Sequence, residues 1–281
     1  MLLQARAGGA DRELPRLELD PGETRPLNHL IIPALDHDSW PEAQTGLDRL
    51  SDYIAIAKLN SLAEDDLSGS VDRLNRHYKL LAMVDRKVYD IDDTNRRRIR
   101  QQALAGGSIL TVHAANTQAA LKACVKGVDE AMGKNPSLQR PWLAGVTVLT
   151  SIGDDGFDRA GNPIETSKSI FGDERMKKVG QFIGFTADAG YEAVVCSAQE
   201  AELVKQNRNT EHLKTIVPAV RPEYSIGDDD EQRYTAVTPR IAIESGANFL
   251  VIGRPLIYAP RYGVAHHEAV QLITDDIALA A

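Results

Sequence analysis

Residues 53–90, YIAIAKLNSLAEDDLSGSVDRLNRHYKLLAMVDRKVYD, decide how this chain folds. They open on one apolar run, Tyr53–Leu59, and approach their end on another, Lys79–Val84. Neither alternates apolar with polar residues, and near-continuous runs are what a parallel sheet buried on both faces requires. Between them, 62–74 places leucines at helical intervals. The unit is strand, helix, strand. It recurs outward along the chain in HLIIPALD (29–36), SILTVH (108–113), WLAGVTVL (142–149), YEAVVC (191–196), KTIVPA (214–219) and NFLVIG (248–253). Helices are expected over 40–50, 117–132, 167–189 (the longest) and 238–245. The last begins Thr238-Pro239, a cap followed by proline at the first helical position. Eight such pairs predict the α/β class and a (β/α)8 TIM barrel. Six or seven pairs in an open doubly wound sheet is the competing architecture. Residues 1–27 lack periodicity and read as an N-terminal extension to a catalytic barrel over 28–281.

The composition is that of an ordinary globular protein: 281 residues, 43% hydrophobic and 26% charged. No run approaches the ~18 apolar residues of a membrane span. The first 27 residues hold Arg6, Asp11, Arg12, Glu13 and Arg16 without an apolar core, so they do not read as a secretory signal. Two cysteines, Cys124 and Cys196, form no CxxC pair and suit a reducing cytoplasm. A formal charge of −8 argues against a general nucleic-acid binder. Walker A, GxGxxG and GxSxG patterns do not occur, which leaves nucleotide hydrolysis, dinucleotide redox chemistry and hydrolase-type serine catalysis without support.

Several apolar runs end in ionisable groups. Asp36 follows IIPAL, Lys58 lies within AIAKL, Asp85 and Lys87 follow LLAMV, and His113 follows SILTV. In a barrel these strand ends converge on one mouth, where active sites sit. Asp85 and Lys87 are two residues apart and share a face of an extended segment, with Asp90 a turn further on. Together with Lys58 they form an alternating array of acids and ammoniums. At ~4 Å and an effective dielectric of ~20, each neighbouring pair is coupled by about 4 kcal/mol, and desolvation offsets much of that. Such an array suits chemistry in which charge moves. A fixed carboxylate beside an anionic substrate raises its ground-state energy, and a neighbouring ammonium can deliver a proton. The plainer reading is a surface ladder of salt bridges.

Two long loops, 151–164 and 221–237, follow strands and so belong to the same mouth. In FLVIGRP (249–255), Gly253 lets a backbone N–H approach a phosphate and Arg254 can chelate it, at the place where barrels often bind phosphate. His266-His267-Glu268 reads as a surface helix, because adjacent histidines on a helix point about 100° apart. A backbone or carboxylate hydrogen bond from Nδ1 is the expectation for His113. The basic run Arg96, Arg97, Arg98 and Arg100 reads as a helix surface pairing with Asp92 and Asp93.

These segments together resemble the orotidine 5′-phosphate decarboxylase family. The likeness spans roughly 29–281 and is most specific in Asp-x-Lys-x-x-Asp-Ile-x-x-Thr, here Asp85, Lys87, Asp90, Ile91 and Thr94. It implies a barrel enzyme of pyrimidine biosynthesis that converts orotidine monophosphate to uridine monophosphate (UMP) with no metal and no organic cofactor. By that resemblance Lys87 is the general acid that protonates C6, Asp85 sits against the departing carboxylate, and Lys58 holds Asp85 and the ribose. Asp36 binds ribose hydroxyls and Ser151 contacts the pyrimidine. Pro218, Gln232, Gly253 and Arg254 line the phosphate loop and its floor. Asp90, Ile91 and Thr94 come from the neighbouring subunit of a homodimer. The chain departs from the family pattern in four places. Asp92-Asp93 replaces Pro-Asn, Pro-Ala-Val-Arg (218–221) replaces Pro-Gly-Ile-Arg, four acids (228–231) precede Gln232, and Ala115-Asn116 replaces Gly-Gly. Two alternatives remain open on sequence: a related sugar-phosphate 3-keto acid decarboxylase, expected to want Mg²⁺, and a non-catalytic nucleotide-binding paralogue.

Overall fold

The computed structural model describes residues 13–152, 156, 165–226 and 236–280. Eight parallel strands close in chain order: β1 (Ile31–Leu35), β2 (Ile56–Leu59), β3 (Leu81–Val88), β4 (Ile109–His113), β5 (Trp142–Val146), β6 (Ala193–Val195), β7 (Lys214–Val217) and β8 (Phe249–Ile252), with β8 pairing back onto β1. Each lies within or overlaps one of the eight apolar runs. The helices are α1 (Trp40–Leu50), α2 (Ser61–Asp65), α3 (Leu67–Asp72), α4 (Asp92–Leu104), α5 (Gln118–Lys134), α6 (Ser167–Phe171), α7 (Arg175–Asp188), α8 (Ala198–Lys205), α9 (Pro239–Glu244), α10 (Arg254–Ile257) and α11 (His266–Ala278). The fold is a (β/α)8 TIM barrel. No helix among the described residues is long and apolar enough to cross a membrane.

Two helices differ from expectation for local reasons. The one expected over 167–189 is split into α6 and α7, because Gly172 caps α6 in the left-handed region at φ 77°. The one expected over 62–74 is broken at Asp66, whose carboxylate accepts from the Gly69 N–H and starts α3 afresh, before the backbone widens into a π-helical turn at 73–78. Thr238 caps α9 as expected, its side chain accepting from the Ile241 N–H with Pro239 behind it.

The strands divide their side chains by parity. Ile31, Leu35, Ala57, Leu59, Ala82, Val84, Leu110, Val112, Val194, Leu250 and Ile252 face the helices. Ile32, Ala34, Ile56, Leu81, Met83, Ile109, Trp142, Ala144, Ala193, Ile216, Phe249 and Val251 fill the barrel. Leu17, from the segment ahead of β1, joins that inner cluster and is buried. The Trp142 Nε1–H donates to Glu18 Oε1 at 3.2 Å, and the Arg25 guanidinium lies 5.4 Å from the Phe249 ring centroid. The described part of the 1–27 segment thus closes the barrel floor.

Candidate active site

The inward-facing residues climb each strand two at a time, and the apolar layers give way to charge on the last step. Ile32 and Ala34 are followed by Asp36, Ile56 by Lys58, and Leu81 and Met83 by Asp85. Register places Lys58 level with Ala34 and Met83, so its stem rises along the wall toward the two carboxylates one layer above. Lys58 Nζ donates to Asp36 Oδ1 at 2.7 Å and lies 3.3 Å from Asp85 Oδ2; Lys87 Nζ meets that same Asp85 oxygen at 2.9 Å. Lys58 and Asp85 are buried, Lys87 is half-buried and Asp36 is exposed at the rim.

Asp85 and Lys87 meet because β3 bulges. The β3–β4 ladder runs Met83↔Ile109 and Val84↔Leu110, then jumps to Val88↔Val112, so three residues of β3 stand opposite Thr111 alone. The Thr111 hydroxyl accepts from the Lys87 N–H at 2.9 Å and donates to Asp85 Oδ1 at 3.1 Å. Lys87 itself takes φ 43°, in the left-handed region that non-glycine residues seldom occupy.

Burial alone would push the Asp85 carboxyl up, but Lys58 and then Lys87 outweigh it and hold the group below its ordinary value. Burial alone would push Lys58 down, and Asp85 and Asp36 reverse the sign and raise it. Each charge therefore depends on its neighbours. His113 is lowered by burial and by Lys87. Its Nδ1 accepts from the Ala115 N–H at 3.2 Å, the reverse of the donation expected, which leaves the ring proton on Nε2.

Above the array opens a cavity of about 700 Å³. Asp36, Lys58, Asp85, Lys87, Pro218, Gly253 and Arg254 all line it, so seven of the site residues expected from sequence are brought together. Thr150 lines it while Ser151 stands exposed beyond. Asp90, Ile91 and Thr94 do not line the cavity of their own chain. Asp90 faces α4 instead, 3.4 Å from Arg98, and Ile91 is 71% exposed. Arg96 and Arg97 both pair with Asp93. Gln232 lies outside the described residues. The base of its loop is closed by a bridge between Val220 and Val237, with the Arg221 N–H donating to Val237 O at 2.8 Å. Ala219, where the family pattern has glycine, takes φ 63°.

Sequence reasoning passed over Thr111, Asn60 and Arg221. Asn60 and Arg221 line the cavity. A hydroxyl inside the apolar run ILTV and an amide straight after AIAKL were the available signals. A buried ion pair was also missed. Arg175 Nε donates to Glu200 Oε1 at 2.7 Å, and the same guanidinium reaches the carbonyls of Val148, Leu149 and Ile152, which fixes the path of the chain after β5.

Known proteins resemble this chain over most of its length. Residues 29–269 match the model of the orotidine 5′-phosphate decarboxylase / HUMPS family. The chain is 32% identical over 229 residues to an orotidine 5′-phosphate decarboxylase of Vibrio atlanticus, covering 82% of this chain and 91% of that one. It is 31% identical over 229 residues to one of Actinobacillus succinogenes, with the same coverage. Among solved structures, orotidine 5′-phosphate decarboxylase from Lactobacillus acidophilus shares the fold with a TM-score of 0.68 at 23% identity, over 88% of this chain and 97% of that one. An uncharacterized conserved protein from Geobacillus kaustophilus does so with a TM-score of 0.66 at 22% identity, over 88% and 99%. The charged mouth of this barrel therefore belongs to a chain of the orotidine 5′-phosphate decarboxylase / HUMPS family.

Proposed function

We propose that this protein decarboxylates orotidine 5′-monophosphate to UMP in de novo pyrimidine biosynthesis. The observation that carries the reading is the row Lys58–Asp85–Lys87, with its carboxylate buried and its ammoniums 3.3 and 2.9 Å from one oxygen. Asp85 repels the substrate carboxylate and so destabilises the bound ground state. The bond from C6 to the carboxylate breaks, carbon dioxide leaves, and the electron pair stays on C6. Lys87, fixed beside that carbon, stabilises the charge as it develops and then gives C6 its proton. Solvent reprotonates the amine.

The cavity supports a multiply charged anion. Among the described residues, Lys58, Lys87, Arg221 and Arg254 line it together with Asp36 and Asp85, so an anionic substrate would meet cations on several walls. Arg254 and the Gly253 backbone would take the phosphate, Asp36 and Lys58 the ribose. Pro218 and Gln232 would border the phosphate, and Ser151 would reach the pyrimidine on closure. Binding energy from the remote phosphate is available to close the loop over the site.

Asp90, Ile91 and Thr94 would complete the site of a second copy in a homodimer, which accounts for their absence from their own cavity. Mixing tests this. Lys87→Ala and Asp90→Ala chains, each nearly inactive alone, should recover about a quarter of wild-type activity when co-refolded, because roughly half the random dimers are hybrids and each hybrid has one intact site. No recovery contradicts the shared site. The reaction itself is tested by loss of orotidine monophosphate absorbance with and without EDTA. Turnover that survives the chelator supports the nucleotide reaction. Chelator-dependent turnover of a sugar-phosphate 3-keto acid supports the other branch of the family, and UMP binding without turnover supports a non-catalytic paralogue.

A further inference from the structure

The segment that follows Lys87 is held by a side chain that the proposed reaction leaves unused. Asn116, just past β4, is 5% exposed. Its Nδ2 donates to Val88 O at 2.9 Å and to His113 O at 2.8 Å. Its Oδ1 accepts from the Asp90 N–H at 3.3 Å and from Asn95 Nδ2 at 3.0 Å. Two donations and two acceptances are the full capacity of the amide. Two of these bonds grip the β3 segment on either side of Tyr89, and the other two anchor it to the end of β4 and to α4. Asn95 adds a bond of its own to Asp90 O at 2.9 Å.

This anchoring has a purpose in the bulge. Lys87 sits at φ 43° with Thr111 holding its N–H on one side. A residue strained in this way persists only where the surroundings over-determine it. Thr111 fixes the bulge at its start, and at its far end Val88 returns to the ladder opposite Val112. Asn116 supplies the second hold.

We propose that Asn116 is a positioning residue that clamps Val88–Asp90 to the end of β4, and so keeps the Lys87 ammonium on Asp85 while presenting Asp90 away from its own barrel. The proposal rests on the decarboxylase reading for its kinetic consequence, but the clamp itself is readable without turnover.

The test compares wild type, Asn116→Ala and Asn116→Asp. The aspartate keeps both acceptances and loses both donations. In Asn116→Ala, kcat for orotidine monophosphate should fall by about 10- to 100-fold, the scale expected when a reacting group is misplaced by ~1 Å. The Kd for UMP should stay within about threefold, since ribose and phosphate are held elsewhere. Amide exchange in peptides spanning 86–91 should quicken at least about tenfold, with β1 and β8 unchanged. Asn116→Asp, whose second carboxylate oxygen would face the Val88 and His113 carbonyls where the amide donated, should lose at least as much kcat and protection as Asn116→Ala. The clamp is overturned if kcat and 86–91 exchange both stay within twofold of wild type in Asn116→Ala. It is overturned equally if kcat, UMP affinity and exchange protection throughout the barrel decline together. Should Asn116→Ala fail to fold, a folded Asn116→Asp with wild-type kcat and exchange overturns it. A wild-type protein that never consumes orotidine monophosphate refutes the functional reading instead, and the exchange comparison alone then decides the clamp.

Discussion

At the floor of the barrel Leu17, Ile32, Ile56, Leu81, Trp142 and Phe249 fill the interior with apolar surface, while one or two layers up β1, β2 and β3 the inward positions hold Asp36, Lys58 and Asp85. The parity is the same and the chemistry is opposite. Floor residues pack chiefly against apolar neighbours, so their burial returns transfer free energy at roughly 25 cal/mol per Å². At the mouth Lys58 and Asp85 are buried with their charges, where desolvation offsets most of the mutual attraction. The floor stabilises the barrel, and the mouth holds a polar array whose justification is chemical.

Substitutions at the two ends should accordingly separate stability from turnover. Phe249→Ala should destabilise by about 3–5 kcal/mol, as large-to-small changes of buried aromatics do. Chemical denaturation reads this, and the folded fraction should keep kcat within about threefold. A large kcat loss at unchanged stability would break the division. Leu17→Ala should cost about 2–3 kcal/mol by the same route. A loss near zero would mean that the segment before β1 does not belong to the floor.

A pH titration sharpens the contrast, because the inner layers of the floor are apolar while the mouth carries buried ionisable groups with shifted titrations. Asp85 is held below its ordinary value, so its contribution is fully present above the unfolded carboxyl pKa of ~3.9 and is lost as pH falls through the lowered native value. Lys58 is raised, so its contribution is present below ~10.4 and is lost as pH climbs through the raised value. His113 is lowered by burial and Lys87, so it adds no inflection above its ordinary range. The expected kcat profile is flat from about pH 7 to 9. An inflection at neutral pH that disappears in Asp85→Asn would contradict an ionised Asp85 between two ammoniums. The smallest effect belongs to Ala219, left-handed at φ 63°. Ala219→Gly should relieve ~1 kcal/mol of backbone strain, less the unfolded-state entropy that glycine adds. The net gain is about 0.5 kcal/mol in a denaturation curve.

Most of the barrel could be read from eight apolar runs, since a strand buried on both faces has almost no other way to be written. The array was legible for a related reason: Lys58 and Asp85 occupy inward positions where the pattern demands apolar residues. What escaped depends on backbone shape. Lysine carries no sign that it will stand at positive φ, and the bulge opposite Thr111 exists only once β3 and β4 are paired. The i, i+2 reading brought Asp85 and Lys87 to one face, although the segment between them is not regularly extended. Asn116 and the Arg175–Glu200 pair draw their meaning chiefly from partners 21 to 28 residues away, beyond any local pattern. At Gly172, by contrast, a glycine was a visible signal for the helix break, and the continuous helix read over 167–189 passed over it.

The most direct test is Lys87→Ala, assayed for orotidine monophosphate consumption and for UMP binding on one preparation. Removing a positioned proton donor that also stabilises developing charge should lower kcat by about 10³-fold or more, with UMP affinity within about tenfold and thermal stability within a few degrees of wild type. Turnover within tenfold of wild type, from a variant that folds and binds normally, would contradict the account.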